Sequence, residues 1–128
     1  MGVASPKMAP QGATRESVLT KAVGRAARRL AVTNAELAQV LGVSEATVSR
    51  LQRDGLLIKE GSKAFELGQL FLRFFRGLDA ITGGDDASSA SWLRSRNLAL
   101  EAVPAELIRS VQGLVEVVNY VDSQRART

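Results

Sequence analysis

Apolar residues recur at helical spacing along most of this chain. Leu19, Ala22, Val23, Ala26 and Leu30 form one stripe, with Lys21, Arg25 and Arg28 opposite it, which predicts an amphipathic helix with a basic back. Thr33 followed three residues later by Glu36 has the form of a capping box and opens a second helix. Leu37, Ala38 and Leu41 share one face of that helix, and Gly42 ends it. Ser44 caps a third helix, with Val48 and Leu51 turned inward, and Asp54-Gly55 stops it. Residues 56–63 read as a connector, open to being a short strand or a small wing. A long helix is predicted over 62–81. Leu67, Leu70, Phe71, Phe74, Leu78 and Ile81 share a face while Phe65 and Leu72 lie on the far side, the pattern of a helix buried on two sides. Gly83-Gly84 breaks it, and Asp85 or Asp86 can cap a short helix carrying Ala90, Trp92 and Leu93. Residues 94–103 read as a loop. Pro104 suits a first helical turn, with Leu107 and Ile108 inside. Ser110 caps the last helix, whose stripe is Leu114, Val117, Val118 and Val121, and the polar end from Asp122 onward is expected to fray. No internal repeat and no strand pattern of any length occurs, so the fold class is all-α.

Composition narrows the chemistry. The 128 residues are 45% hydrophobic, enough to bury a core. The four Phe all fall between Phe65 and Phe75, which marks that segment as the heaviest part of it. There is no Cys and no His, so disulfides, thiolate or histidine catalysis and Cys/His zinc sites are excluded. No cofactor is expected. No apolar run reaches the roughly 18 residues of a membrane span, and the first residues lack the apolar middle of a signal peptide. A cytoplasmic protein with no membrane attachment and a flexible tail over residues 1–13 is expected.

Charge then divides the chain. The net +4 lies wholly in residues 1–60, with nine Lys/Arg against five Asp/Glu, while residues 61–128 hold eight of each. A basic half beside a neutral half suggests one surface for a polyanion and another for something else.

The basic half contains a spacing with a geometric meaning. Two short helices packed steeply across a tight turn need a small residue where they touch, a glycine at the turn and apolar anchors on both. Counting Asn34 as the first position, the fifth is Ala38, the ninth Gly42 and the fifteenth Val48; Leu37, Leu41, Val43 and Leu51 supply the other anchors. Every structural position of a helix-turn-helix is filled with the expected type. The second helix of such a unit offers its outer face to the DNA major groove, which leaves Ser44, Glu45, Ala46, Thr47, Ser49, Arg50 and Arg53 as candidate DNA-binding residues. Arg50 suits the O6 and N7 acceptors of guanine, and Ala46 a thymine methyl. Glu45 suits either cytosine or the helix dipole. Ser44, Thr47 and Ser49 suit phosphates or base edges, and Arg53 a phosphate. One such unit rarely binds tightly alone, so a homodimer is expected.

The second half resembles a known family. Trp92-Leu93, Asn97, Ala99-Leu100, Pro104, "LIRSVQGL" from Leu107 to Leu114, Val118 and Tyr120-Val121 resemble the toxin-binding domain of the Xre/MbcA/ParS antitoxins. With an Xre-like helix-turn-helix before it, the resemblance covers about four-fifths of the chain in the family's domain order. Relatives commonly carry Gly-Gly where Glu101-Ala102 stands here, and that loop is expected to turn differently because glycine accepts positive φ readily.

The resemblance implies a helix-turn-helix DNA-binding domain over 14–61. It also implies a C-terminal toxin-binding domain over 62–128 with a flexible polar tip. It further implies the antitoxin of a type II toxin–antitoxin system. Its partner would be a cognate toxin of the RES or ADP-ribosyltransferase-like type, which uses NAD+. The C-terminal end would block the toxin's NAD pocket, and the front half would bind the operon's own promoter DNA for autoregulation. In that reading Tyr120, Asp122, Gln124, Arg125 and Arg127 are the candidate toxin-binding residues, with Tyr120 as an amphipathic anchor. Trp92 reads as packing inside the C-terminal half. The alternative is a stand-alone dimeric helix-turn-helix repressor whose second half only dimerises. An enzyme is the weakest reading, since no pairing pattern stands out among the remaining Ser, Asp, Glu, Lys and Tyr.

Overall fold

A computed structural model describes residues 14–127; the tail expected over residues 1–13 lies outside the described residues. Among the described residues the chain forms seven helices: α1 (Arg15–Arg29), α2 (Asn34–Leu41), α3 (Glu45–Arg53), α4 (Lys63–Ile81), α5 (Asp86–Arg94), α6 (Pro104–Leu107) and α7 (Val111–Ala126). None of them is long and apolar enough to cross a membrane.

Local chemistry sets most of the boundaries. Thr14, Thr33, Ser44, Ser62, Asp85 and Ser110 each stand at an N-cap in extended conformation and accept a backbone N–H from three residues on. Thr33 and Glu36 form the full capping box. Pro104 opens α6, where its missing N–H costs nothing. Gly42 ends α2 at φ 71, the left-handed conformation that needs no Cβ. At the end of α1 the same bend falls on Ala31, at φ 57. There Val32 N–H reaches the Ala27 carbonyl at 2.8 Å and Ala31 N–H the Arg28 carbonyl at 3.1 Å, the paired bonds of a Schellman turn with alanine where glycine is usual.

Helix α4 holds the molecule together. It packs against α1 and α2 on one side and against α7 and α5 on the other. Two glycines let the backbones approach. A Cβ at Gly68 would sit 3.3 Å from Leu19 and 3.4 Å from Val23, while a Cβ at Gly77 would collide with Cγ1 of Val121. Phe71, Phe74 and Leu78 are fully buried between these layers, and the aromatic contact continues through Trp92 to Tyr120.

The structure departs from the sequence pattern in several places. Residues 56–63 form neither strand nor wing. They are pinned along α1, because Ile58 is buried and donates its N–H to Thr20 Oγ1 at 2.9 Å, while Arg15 pairs with Glu60 at 2.7 Å. Ile81, placed on the buried stripe by its spacing, is 39% exposed on the last turn of α4. The expected fraying from Asp122 gives way to helix as far as Ala126. Val121 is buried just before that point, and Asp122 pairs with Arg73 of α4 at 2.6 Å. In the loop after α5, Glu101 takes φ 56, so the first residue of the Glu101-Ala102 pair adopts the conformation a glycine would favour. Asn97 closes that loop: its backbone bridges Ala102, and its side-chain oxygen accepts the Leu100 N–H at 2.9 Å.

Candidate functional site

At the front, α2 and α3 pack across Gly42 with Ala38 buried between them and Leu37, Leu41 and Val48 sunk into the core. This fixes which side of α3 faces outward. Ser44, Glu45, Ala46, Arg50 and Arg53 are exposed, and Thr47 and Ser49 are half-buried, so all seven candidate DNA-binding residues keep some access to solvent. Two hydroxyls are already engaged. Ser44 Oγ accepts the Thr47 N–H at 3.0 Å and donates its proton to Thr47 Oγ1 at 2.9 Å. Ser44 is therefore committed to its cap, while the Thr47 hydroxyl keeps its own proton to donate. Arg50 and Arg53 carry no ion pair among the described residues, so both guanidinium groups remain available to an anion.

Sequence reasoning missed two residues here. Gln52 accepts from Arg28 Nη1 at 2.8 Å and donates to Asn34 Oδ1 at 2.9 Å, linking α1, α3 and α2. Glu36, read only as a capping residue, is also the junction between the two halves. Besides the Thr33 N–H at 2.9 Å, its carboxylate accepts Arg94 Nη1 at 2.5 Å and Nη2 at 2.7 Å, and Arg109 Nη2 at 3.4 Å. The Arg94 hydrogen bonds hold the Glu36 pKa down at about 2, helped by the Thr33 N–H and opposed by burial. The same pairing pushes the Arg94 guanidinium further up. Partners 58 and 73 residues away leave no local signal in a sequence.

At the back, the five candidate toxin-binding residues divide. Tyr120 is half-buried and stacked on Trp92, with ring centroids 6.3 Å apart and planes 18° from parallel. Asp122 is held by Arg73. Gln124 is half-buried, and Arg125 lines an open cleft of about 650 Å³ with Val18, Phe65, Leu72, Arg73 and Arg76. Arg127 is exposed at the C-cap of α7. The sequence reading passed over the apolar side chains that this half leaves in solvent. Val111 and Val115, one turn apart on α7, are 57% and 39% exposed, and Leu98 in the loop is 87% exposed.

Two family models match the chain in tandem. Residues 9–73 match the antitoxin Xre-like helix-turn-helix domain, and residues 77–127 match the antitoxin Xre/MbcA/ParS C-terminal toxin-binding domain. Among curated proteins the chain has no match.

Proposed function

The chain belongs to the Xre-family antitoxins, with a helix-turn-helix domain and a toxin-binding domain in one molecule, and we propose that it neutralises an NAD-using toxin while regulating its own promoter. The toxin would be of the RES or ADP-ribosyltransferase-like type. The observation that carries this reading is the pair of domains built on the shared helix α4, with α3 presented on one side and α7 on the other. In this reading Arg50 reads a base and Arg53 meets a phosphate, in a homodimer on promoter DNA in the cytoplasm. Leu98, Val111 and Val115 supply apolar docking area for the toxin. Tyr120 and Asp122 hold the end of α7 in place, and Gln124, Arg125 and Arg127 are the groups offered to the dinucleotide pocket.

The engagement of Tyr120 by Trp92 and of Asp122 by Arg73 favours one competing reading. A C-terminal half that satisfies its own polar end could serve only to dimerise a repressor. Truncation separates the two. A chain ending at Val121 keeps the whole buried stripe of α7 and should fold and bind DNA. Co-expressed with a cognate toxin of this type, the full chain should preserve cellular NAD+ and the truncated chain should not. Full protection by the truncated chain would refute pocket blocking by the tip. No protection by either chain would favour the repressor.

A further inference from the structure

Ion pairing sorts the basic side chains of the described residues into two groups. Arg15, Arg29, Lys63, Arg73, Arg94 and Arg109 each meet a carboxylate. Lys21, Arg25 and Arg28 on α1, and Arg50 and Arg53 on α3, meet none. Arg76, Arg96 and Arg127 also lack a carboxylate and stand on other elements, α4, the α5–α6 loop and the chain end, while Lys59 follows Ile58 on the connector that is bonded to Thr20 of α1. The two helices that carry these unpaired charges, α1 and α3, pack against each other. Lys21 and Arg25 are one turn apart, as are Arg25 and Arg28, a spacing at which like charges repel. Glu16 in the first turn of α1, Glu45 at the start of α3 and Asp54 at its C-cap form no ion pair with any of them.

The geometry between the helices is built rather than incidental. A cleft of about 240 Å³ separates α1 from the C-terminal half of α3 and is lined by Lys21, Gly24, Arg25, Arg28 and Gln52. Gly24 lines it beside this pair: a Cβ there would stand 3.4 Å from both Arg28 Nη1 and Gln52 Oε1, at ordinary contact distance. Gln52 holds Arg28 toward α3, and Asn34 holds Gln52. A guanidinium fixed by a neutral amide is positioned while its charge stays uncompensated, which suits an anion.

We infer that the outer face of α1 is a second DNA contact, in which Lys21, Arg25 and Arg28 grip the phosphodiester backbone of duplex DNA while α3 enters the groove. This inference rests on the DNA-reading role of the helix-turn-helix. It assigns α1 the sequence-independent share of binding and α3 the sequence-dependent share.

The test uses the full chain, a duplex selected in vitro for tight binding and a random-sequence duplex, with fluorescence anisotropy over a range of salt. Neutralising two phosphate contacts with Lys21→Gln/Arg25→Gln should reduce the slope of log K against log salt by about 1.8, at about 0.9 per phosphate. The affinity loss should be the same factor on both duplexes, with the melting temperature unchanged. The charge-keeping Lys21→Arg/Arg25→Lys chain should retain the wild-type slope, which guards against a folding effect. Arg50→Ala should instead lose affinity about 5–150-fold on the selected duplex only. If the double Gln variant matches wild type while Arg50→Ala behaves as stated, the α1 contact is refuted and DNA reading by α3 stands. If the wild-type chain binds neither duplex at low salt, both fall.

Discussion

Replacing Glu36 with glutamine removes one charge from the junction of the two halves while keeping its shape. The carboxylate is 14% exposed and is shared by Arg94 and Arg109. Lowering its pKa from 4.5 to about 2 corresponds to about 3 kcal/mol of stability at neutral pH. Arg94 is 41% exposed, so solvent screening reduces this, and about 2 kcal/mol is the working value. The introduced amide can still accept the Thr33 N–H, so the capping box is only partly lost. The sign follows from the direction of the shift. The folded state holds Glu36 ionised more strongly than the unfolded chain does. The contribution is therefore complete above pH 4.5 and drains away as the pH falls toward 2. Denaturant unfolding of wild type and Glu36→Gln at pH 6 and pH 3 reads this out. The gap should be about 2 kcal/mol at pH 6, equivalent to about 6–10 °C in melting temperature for a chain of this size. At pH 3 about two-fifths of the gap should remain. A gap below about 0.5 kcal/mol at pH 6, the level of an ordinary surface pair, would refute the buried junction. A gap unchanged between the two pH values would refute its electrostatic origin.

Two further substitutions test the packing that positions the surfaces. Ala31→Gly should stabilise the chain by about 0.5–1 kcal/mol, because the Schellman turn places a Cβ in the left-handed region; unfolding in denaturant that shows a loss would mean the turn is not formed in solution. Gly77→Ala should cost about 1–3 kcal/mol through its collision with Val121. Adding Val121→Ala should return part of that cost, and a strictly additive double mutant would contradict the close approach of α4 and α7.

Much of this architecture was legible because its causes are local. Thr33, Ser44, Asp85 and Ser110 cap helices within three residues of themselves, and Gly42 supplies a conformation that few other residues accept. The exposed face of α3 followed from the same arithmetic, since burying Val48 and Leu51 leaves Arg50 and Arg53 outside. The connector 56–63 was not legible, because what holds it is Thr20 and Arg15 on another element. The left-handed turns at Ala31 and Glu101 carry no glycine to announce them. The end of α7 looked too polar to stay helical, and its Arg73 partner lies 49 residues away. For the same reason, the Glu36–Arg94 junction and the Arg28–Gln52–Asn34 chain emerge only once the helices are placed.

Co-expressing the chain with the product of the adjacent gene, then following growth and co-purification, asks whether one side of this molecule serves a toxin while the other serves DNA. The neighbour should arrest growth alone, be harmless beside this chain, and be retained with it as a complex through purification. A neighbour that is harmless alone and does not bind would refute the antitoxin role and leave a DNA-binding protein whose second half only pairs its copies.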